Sequence, residues 1–434
     1  MTNNKNRATQ VLLSTAAALL TISAARAADV VVAEPEPVEY VRVCDAYGEG
    51  YFYIPGTETC MRISGYVRAD INGGDNVYAR QRGNIDRDTY AWRTRATLRF
   101  HTASETELGT LRTFVELRSQ WDEGAEWDHK GDSASGQLRF AFIELGGIRV
   151  GLDESIFNHW TGYYGNVIND DILSPMAYTR TNVISYTFNA GNGFSAILGV
   201  EQGNDDIDGN NAKDEWGHSY GYGNRYYRDA NGEIVGKRHD LSGKIDDYTP
   251  NVVGGLKYVQ GWGGVSVVGA YDAYYEEWAA KARLDLNVTD QWSVWVMGGY
   301  KSADDTYMED DTYRTRRYTN SAGALGFKNG VYRQVNSIYG DWGGDWAVWG
   351  GTTFKFNKKA SFNAQVAYDD TDTFAASVNV KYELVPGLVI TPELTYISWE
   401  NDYSIRNAAN TEKLVDSMKG QDAFQGMVRI QRSF

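Results

Sequence analysis

The chain is short of the residues that usually carry a recognisable chemistry. It has two cysteines, and its five histidines are scattered at His101, His129, His159, His218 and His239. No two histidines have metal-ligand spacing, which speaks against a histidine-rich metal centre. Neither a Gly-x-Ser-x-Gly elbow nor a phosphate loop with its lysine occurs, so the common signatures of acyl transfer and nucleotide chemistry are missing. Prolines number only 7, so kinks are few. Beyond residue 28 no run approaches the roughly 20 consecutive apolar residues of a helical span, which excludes helical membrane crossings. Basic residues are outnumbered as well, with Lys+Arg 42 against Asp+Glu 57 and a formal charge of −15. A chain this acidic is not built for nucleic acid, whose phosphates demand a basic surface.

Turn formers and aromatics are plentiful: Gly 46, Tyr 30, Trp 13 and Phe 15. Residues 1–27 read as a secretory signal peptide. Lys5 and Arg7 form a basic start, Val11 to Ala25 an apolar stretch too short to span, and Ala25-Arg26-Ala27 a small-x-small cleavage site. Cleavage there removes three basic residues and no acids, taking the formal charge from −15 to −18. In an exported chain Cys44 and Cys60 pair as one disulfide, closing a short loop worth about 3 kcal/mol in the chain-entropy model. Two free thiols, or half of a metal site, are the alternatives. Residues 28–59 are acidic and proline-punctuated at first and too short for a domain. They read as a periplasmic N-terminal segment that braces or plugs the main domain, residues 60–434.

From Met61 onward the sequence is a series of alternating runs broken by turn clusters, with no amphipathic helix of any length. The clearest run is Tyr90 to Phe100. Its even positions carry Tyr90, Trp92, Leu98 and Phe100, and its odd positions Arg93, Arg95 and Arg99. Sixteen such runs are countable: 61–71, 90–100, 108–121, 137–146, 148–154, 181–190, 194–202, 250–260, 264–275, 278–289, 292–302, 346–357, 360–370, 373–384, 388–400 and 421–434. Tight turns such as Gly146-Gly147 and Val385-Pro-Gly387 alternate with long links at 73–88, 122–136, 155–180, 203–249, 303–345 and 401–420. The links near 276–277 and 371–372 break that rhythm. An even strand number with short turns on one side and long loops on the other is the pattern of a transmembrane β-barrel. The competing reading is a secreted all-β enzyme, in which each apolar face is a core and the arginines a solvated surface.

The last strand runs Phe424-Gln-Gly-Met-Val-Arg-Ile-Gln-Arg-Ser-Phe434, with alternating faces and a terminal aromatic. Together with Pro35-Glu-Pro-Val-Glu-Tyr-Val-Arg-Val-Cys44, Tyr51-Phe-Tyr-Ile-Pro-Gly-Thr-Glu-Thr-Cys60 and Ile63-Ser-Gly-Tyr-Val67, it closely resembles the alphaproteobacterial general-diffusion porins. The resemblance implies an all-β, sixteen-stranded antiparallel barrel, usually a homotrimer, that passes small hydrophilic solutes and ions without a cofactor. It also implies an outer-membrane setting with lipid and lipopolysaccharide, and a barrel-assembly machinery that reads the closing strand and Phe434. One departure is Arg432, third from the end, where an aromatic or apolar residue is usual.

In related porins the third long loop folds into the lumen. Here that loop is 155–180, more apolar and less charged than 203–249 or 303–345. Its acids Asp170 and Asp171, with Asp153 and Glu154 just before it, are expected on the loop side of a constriction. Arg68, Arg93, Arg95, Arg99, Arg112, Arg118 and Arg139 are expected on the barrel wall opposite. Acids facing arginines set up a transverse field that favours polar solutes. The plainer reading pairs these arginines with wall carboxylates such as Glu116. A solute-selective channel, with Trp160, Tyr163 and Tyr164 as a track for sugars, is the alternative within the same class. A carbohydrate-active enzyme with paired carboxylates is the alternative outside it. The acidic runs Asp205-Asp206-x-Asp208 and Glu309-Asp-Asp311 read as solvated loop surface, since the calcium-loop spacing lacks its closing glutamate and no metal site is expected.

Overall fold

The computed structural model describes residues 42–79, 85–87, 90–122, 137–162, 165–174, 180–202, 249–273, 276–303, 337–400 and 418–434, plus the backbone alone of short strands between them. Sixteen antiparallel strands make one closed sheet among these residues. They are β1 Cys60–Gly74, β2 Ala91–Thr106, β3 Gly109–Asp122, β4 Gln137–Leu145, β5 Ile148–Glu154, β6 Arg180–Asn189, β7 Phe194–Glu201 and β8 Asn251–Gln260. Next come β9 Gly263–Asp272, β10 Glu277–Asn287, β11 Trp292–Lys301, β12 Trp346–Lys355, β13 Ala360–Asp369, β14 Thr373–Val385, β15 Leu388–Trp399 and β16 Gln421–Ser433. Each pairs with the next in sequence, and β16 returns to β1 in a register running from Tyr66↔Ser433 to Gly74↔Gln425. Phe434 completes the seam, its backbone exchanging two hydrogen bonds with Gly65 at 2.9 and 3.0 Å. Closure leaves no sheet edge to satisfy, which a strand in hydrocarbon requires.

The two faces are inverted relative to a soluble sheet. Ile63, Val67, Trp92, Leu98, Ile143, Leu198, Leu256, Val296, Leu394 and Val428 point outward and are exposed. Asp70, Thr97, Glu116, Ser185, Lys281, Asn363, Ser377, Thr395 and Gln425 point inward and are buried. Water would not tolerate an apolar girdle of that extent, whereas lipid demands it. The parity also keeps the arginines inside, where an outward arginine at mid-membrane costs about 2–4 kcal/mol. Arg432 is the outward exception, at the very end of the barrel. Its guanidinium donates to the Pro386 carbonyl at 2.8 Å, so the β14–β15 turn satisfies it near the interface.

Short turns join the strands at one end and mostly longer links at the other. Two links at the long end are brief, and each ends on a non-glycine residue in the left-handed region, Glu276 at φ 58° and Asp372 at φ 57°. At the short-turn end, Cys44 and Cys60 are joined as a disulfide. The staple holds a small hairpin in which Phe52–Tyr53 pairs with the start of β1. Tyr51 packs edge-on against His101, a lumen-side residue of β2, at 6.4 Å, and the Arg62 guanidinium lies 5.1 Å over the Tyr51 ring.

Candidate functional site: a loop across the bore and an arginine wall

The link after β5, here L3, turns inward. It opens with one helical turn, α1 Ile156–His159, whose start is tied to the wall by Glu201 of β7. The Glu201 carboxylate accepts from the Ile156 N–H at 2.6 Å, from Ser155 Oγ at 2.8 Å and from the Tyr339 hydroxyl at 2.8 Å. Ile156, Phe157 and Trp160 then bury against β6 to β10. Glycine makes this approach possible. A Cβ on Gly255 would sit 2.4 Å from the Trp160 ring, and one on Gly199 2.4 Å from the Ile156 side chain. The Lys257 ammonium covers the Trp160 ring at 4.5 Å and the Lys281 ammonium covers Phe157 at 4.6 Å. Trp160 is therefore wall packing rather than an open track. Tyr163 and Tyr164 lie outside the described residues.

Beyond α1 the loop tracks the wall from β10 to β16. Gly165 N–H donates to Gln365 of β13 at 2.7 Å, and Asn166 bonds Thr353 of β12 at 3.0 Å and Asn379 of β14 at 2.9 Å. Glu393 of β15 receives two successive backbone donors, a short bond from Ile168 N–H and one of 2.7 Å from Asn169 N–H. The Asn169 amide reaches Thr395 at 3.0 Å and Gln425 of β16 at 3.1 Å. Trp349 of β12 donates to the Leu173 carbonyl at 2.8 Å. A carboxylate accepting two adjacent N–H groups fixes both the position and the direction of the segment it holds.

Among the described residues the arc of β1 to β4 receives none of these loop bonds, and it carries the arginines. Arg68 stands opposite Arg95 in the β1–β2 register, Arg95 opposite Gln120 of β3, and Thr97 opposite Arg118. Arg429, Arg68, Arg95, Arg118 and Arg139 succeed one another from β16 to β4, each near enough to repel the next. Fixed bonds hold them apart. Asp70 takes Arg429 at 2.6 Å and Arg68 at 3.4 Å, Glu116 takes Arg99 at 2.7 Å and Arg118 at 3.5 Å, and Gln120 takes Arg95 at 2.7 Å. The plainer expectation for Glu116 thus holds alongside the ladder. Arg139 joins it because a bulge between Leu138 and Phe140 breaks the strand's alternation.

The expected residues divide accordingly. Asp170 and Asp171 lie on the distal part of L3. The Asp171 carboxylate accepts the Tyr78 hydroxyl at 2.6 Å. Burial, with Asp171 and Glu393 beside it, pushes the Asp170 carboxyl well above its ordinary value. Asp153 and Glu154 lie apart from that pair. Both are buried where β5 ends, Asp153 in an ion pair with Arg149 at 2.6 Å, four residues back, and Glu154 accepting the Asn158 amide. Arg112 stands opposite Ala103 and Glu144, near the short-turn mouth rather than level with the other arginines. Arg93 stands opposite Asp122 and Asp70 in the strand register, toward the long-loop end. Glu201 and Glu393 escaped the sequence reading, since a carboxylate at a lumen position looks like any other polar wall residue. Among the described residues no cluster of His, Cys, Asp and Glu is arranged to hold a metal.

A closed barrel with an apolar exterior, a polar interior and a loop laid across its bore defines an outer-membrane pore of the porin class. The chain belongs to the porin family, and residues 29–427 match the model of the porin subfamily. It is 48% identical over 429 residues to porin Omp2b of Brucella suis, covering 98% of this chain and 99% of that one. It is 46% identical over 429 residues to porin Omp2b of Brucella abortus (strain 2308), with the same coverage of 98% and 99%. Among solved structures, the outer membrane channel DcaP of Acinetobacter baumannii shares the fold at a TM-score of 0.50 and 14% identity, covering 88% of this chain and 99% of that one. The protein is an outer-membrane porin through which small solutes diffuse.

Proposed function

We propose that small hydrophilic solutes and ions cross this porin through water held between L3 and the arginine wall, and that Asp170 and Asp171 face Arg68, Arg95, Arg99, Arg118 and Arg139 across the narrowest part. The observation that carries this reading is the one-sidedness of the loop: among the described residues its bonds to the strands run to β7 and to β12 through β16, and none of these reaches β1 to β4. Preformed dipoles and fixed charges on both sides select by field rather than by fit, which suits passive diffusion of many solutes. Arg93 and Arg112 extend the positive wall toward the two mouths. Nothing in this arrangement asks for a cofactor, and the reading is of a channel rather than an enzyme.

The same reading has residues 1–27 removed on export, residues 28–59 on the periplasmic side, and residues 60–434 as a barrel in a homotrimer within a lipopolysaccharide-bearing membrane. The seam made by Phe434 and Gly65 supports a role for Phe434 as the signal that the assembly machinery reads. The test is single-channel recording of refolded mature protein in planar bilayers. Ohmic openings in steps of three are expected. A well-folded preparation that never conducts would overturn the reading.

A further inference from the structure

Between L3 and the wall of β10 to β12 lies a cavity of about 230 Å³. Its polar lining is Asn166 from L3, Arg283, Asp285 and Asn287 from β10, Ser293 from β11 and Thr353 from β12. Leu286 of β10, Val294 and Trp295 of β11, and Gly165 complete it. The Arg283 guanidinium lies 4.3 Å over the Trp295 ring and grips Asp285 through Nε at 3.0 Å and Nη2 at 2.7 Å. The Asp285 side chain keeps 45% of its surface exposed, while that of Arg283 keeps 9%, so the carboxylate is the accessible half of the pair. The Asn166 amide is tied to Thr353 at 3.0 Å, which fixes two more polar groups at the rim.

This chemistry differs from that of the arginine wall. One guanidinium and one carboxylate cancel, and the other groups are amides and hydroxyls. Donors and acceptors therefore alternate around a space with no net charge. An ion finds no unbalanced partner there, and an apolar solute would leave the polar lining unpaired, at a cost for each group. A neutral solute dense in hydroxyls satisfies both conditions. The volume lies below the roughly 300–1,000 Å³ typical of drug-sized sites, so the solute has about one ring. We propose that this cavity is a transient binding subsite for a neutral monosaccharide in transit, with the Arg283–Asp285 pair and the Asn166, Asn287 and Ser293 side chains as its hydrogen-bonding frame. The proposal rests on the pore reading above and adds a solute preference to it.

The test is current-noise analysis of the refolded mature porin in KCl with rising glucose, against an ethylene glycol oligomer of matched size. Glucose is expected to add noise that saturates with concentration, and the oligomer is expected not to. Asp285→Asn leaves Arg283 without its counter-charge. It is expected to weaken the glucose response at least threefold and to bring in a saturable response to gluconate. Should Asp285→Asn not fold, as judged by heat-modifiable gel migration, Asn287→Ala and Ser293→Ala carry the test, each expected to weaken glucose severalfold. Glucose noise that never saturates, or saturates equally in these variants, overturns the subsite while ohmic openings keep the pore reading. Absence of ohmic openings overturns the pore reading itself.

Discussion

The inner wall has two arcs built from the same kind of strand and put to different uses. From β6 to β16 the lumen positions hold a loop. Glu201, Gln365, Asn379, Glu393 and Gln425 spend their polar groups on its backbone and its amides. From β16 round to β4 the lumen positions hold cations, and Asp70, Glu116 and Gln120 keep them spaced. On the first arc a buried carboxylate acts as an anchor, and on the second it acts as a spacer. Residue type alone does not decide which. What decides is whether a strand of free N–H groups or a guanidinium lies opposite.

The largest effect is expected from removing an anchor. Glu393→Ala strips L3 of the acceptor for two adjacent backbone N–H groups. Hydrogen bonds to a charged group are worth about 1.5–3 kcal/mol each, so docking of the distal loop weakens by roughly 3 kcal/mol. Each 1.4 kcal/mol is tenfold, so the undocked loop becomes on the order of a hundred times more populated. Single-channel traces should show a larger mean conductance, flicker, and closure at lower voltage, with Glu393→Gln intermediate. Traces indistinguishable from the parent would mean that L3 is held elsewhere and that the two arcs are less different than their bonds suggest.

A smaller effect is expected from inverting one charge on the bare arc. Arg95→Glu replaces a cation in the middle of the ladder, where Arg68 and Arg118 flank it. The permeability ratio in a KCl gradient should move severalfold toward cations. The shift should shrink between 0.1 M and 1 M salt, as the screening length falls from about 10 Å to about 3 Å. Arg112→Glu, near the mouth, should move the ratio less. Equal shifts from both would deny the ladder any special position.

Much of this is legible in the residues alone. Membrane parity is strict, because an arginine on lipid is too costly, so the directions of Arg93, Arg95 and Arg99 can be read from alternation. The tight turns and the closing strand set the strand number for the same reason, since every residue slipped would turn a face inside out. What cannot be read lies where alternation stops governing. The bulge beside Arg139, which shifts the β3–β4 register between Glu116 and Leu117, is announced by no residue type. Asp153 looks like part of the loop, but Arg149, four residues earlier on β5, claims it. Glu393 sits in an ordinary Thr-Pro-Glu-Leu-Thr stretch. Only the arrival of Ile168 and Asn169, more than two hundred residues away in sequence, makes it an anchor.

The smallest effect sharpens the comparison from the loop side. Burial beside Asp171 and Glu393 holds the Asp170 carboxyl above the ordinary carboxylate range, so it takes up its proton at a pH where exposed carboxylates are still charged. As pH falls through that raised value, L3 loses a negative charge while the arginines keep theirs, and selectivity moves toward anions. The folded pKa lies above the unfolded one, so loop docking gains stability over the same fall and loses it as pH rises back through the raised value. Reversal potentials measured from about pH 8 down to pH 4, just above the ordinary aspartate value of about 3.9, should show one step in the parent. Asp170→Asn fixes the neutral form, so it should sit at the parent's low-pH selectivity across the range and lose the step. The change is one charge rather than the two of Arg95→Glu, so the shift should be the lesser of the two. A variant that titrates like the parent would assign the step to another group and leave Asp171 alone on the loop side of the field.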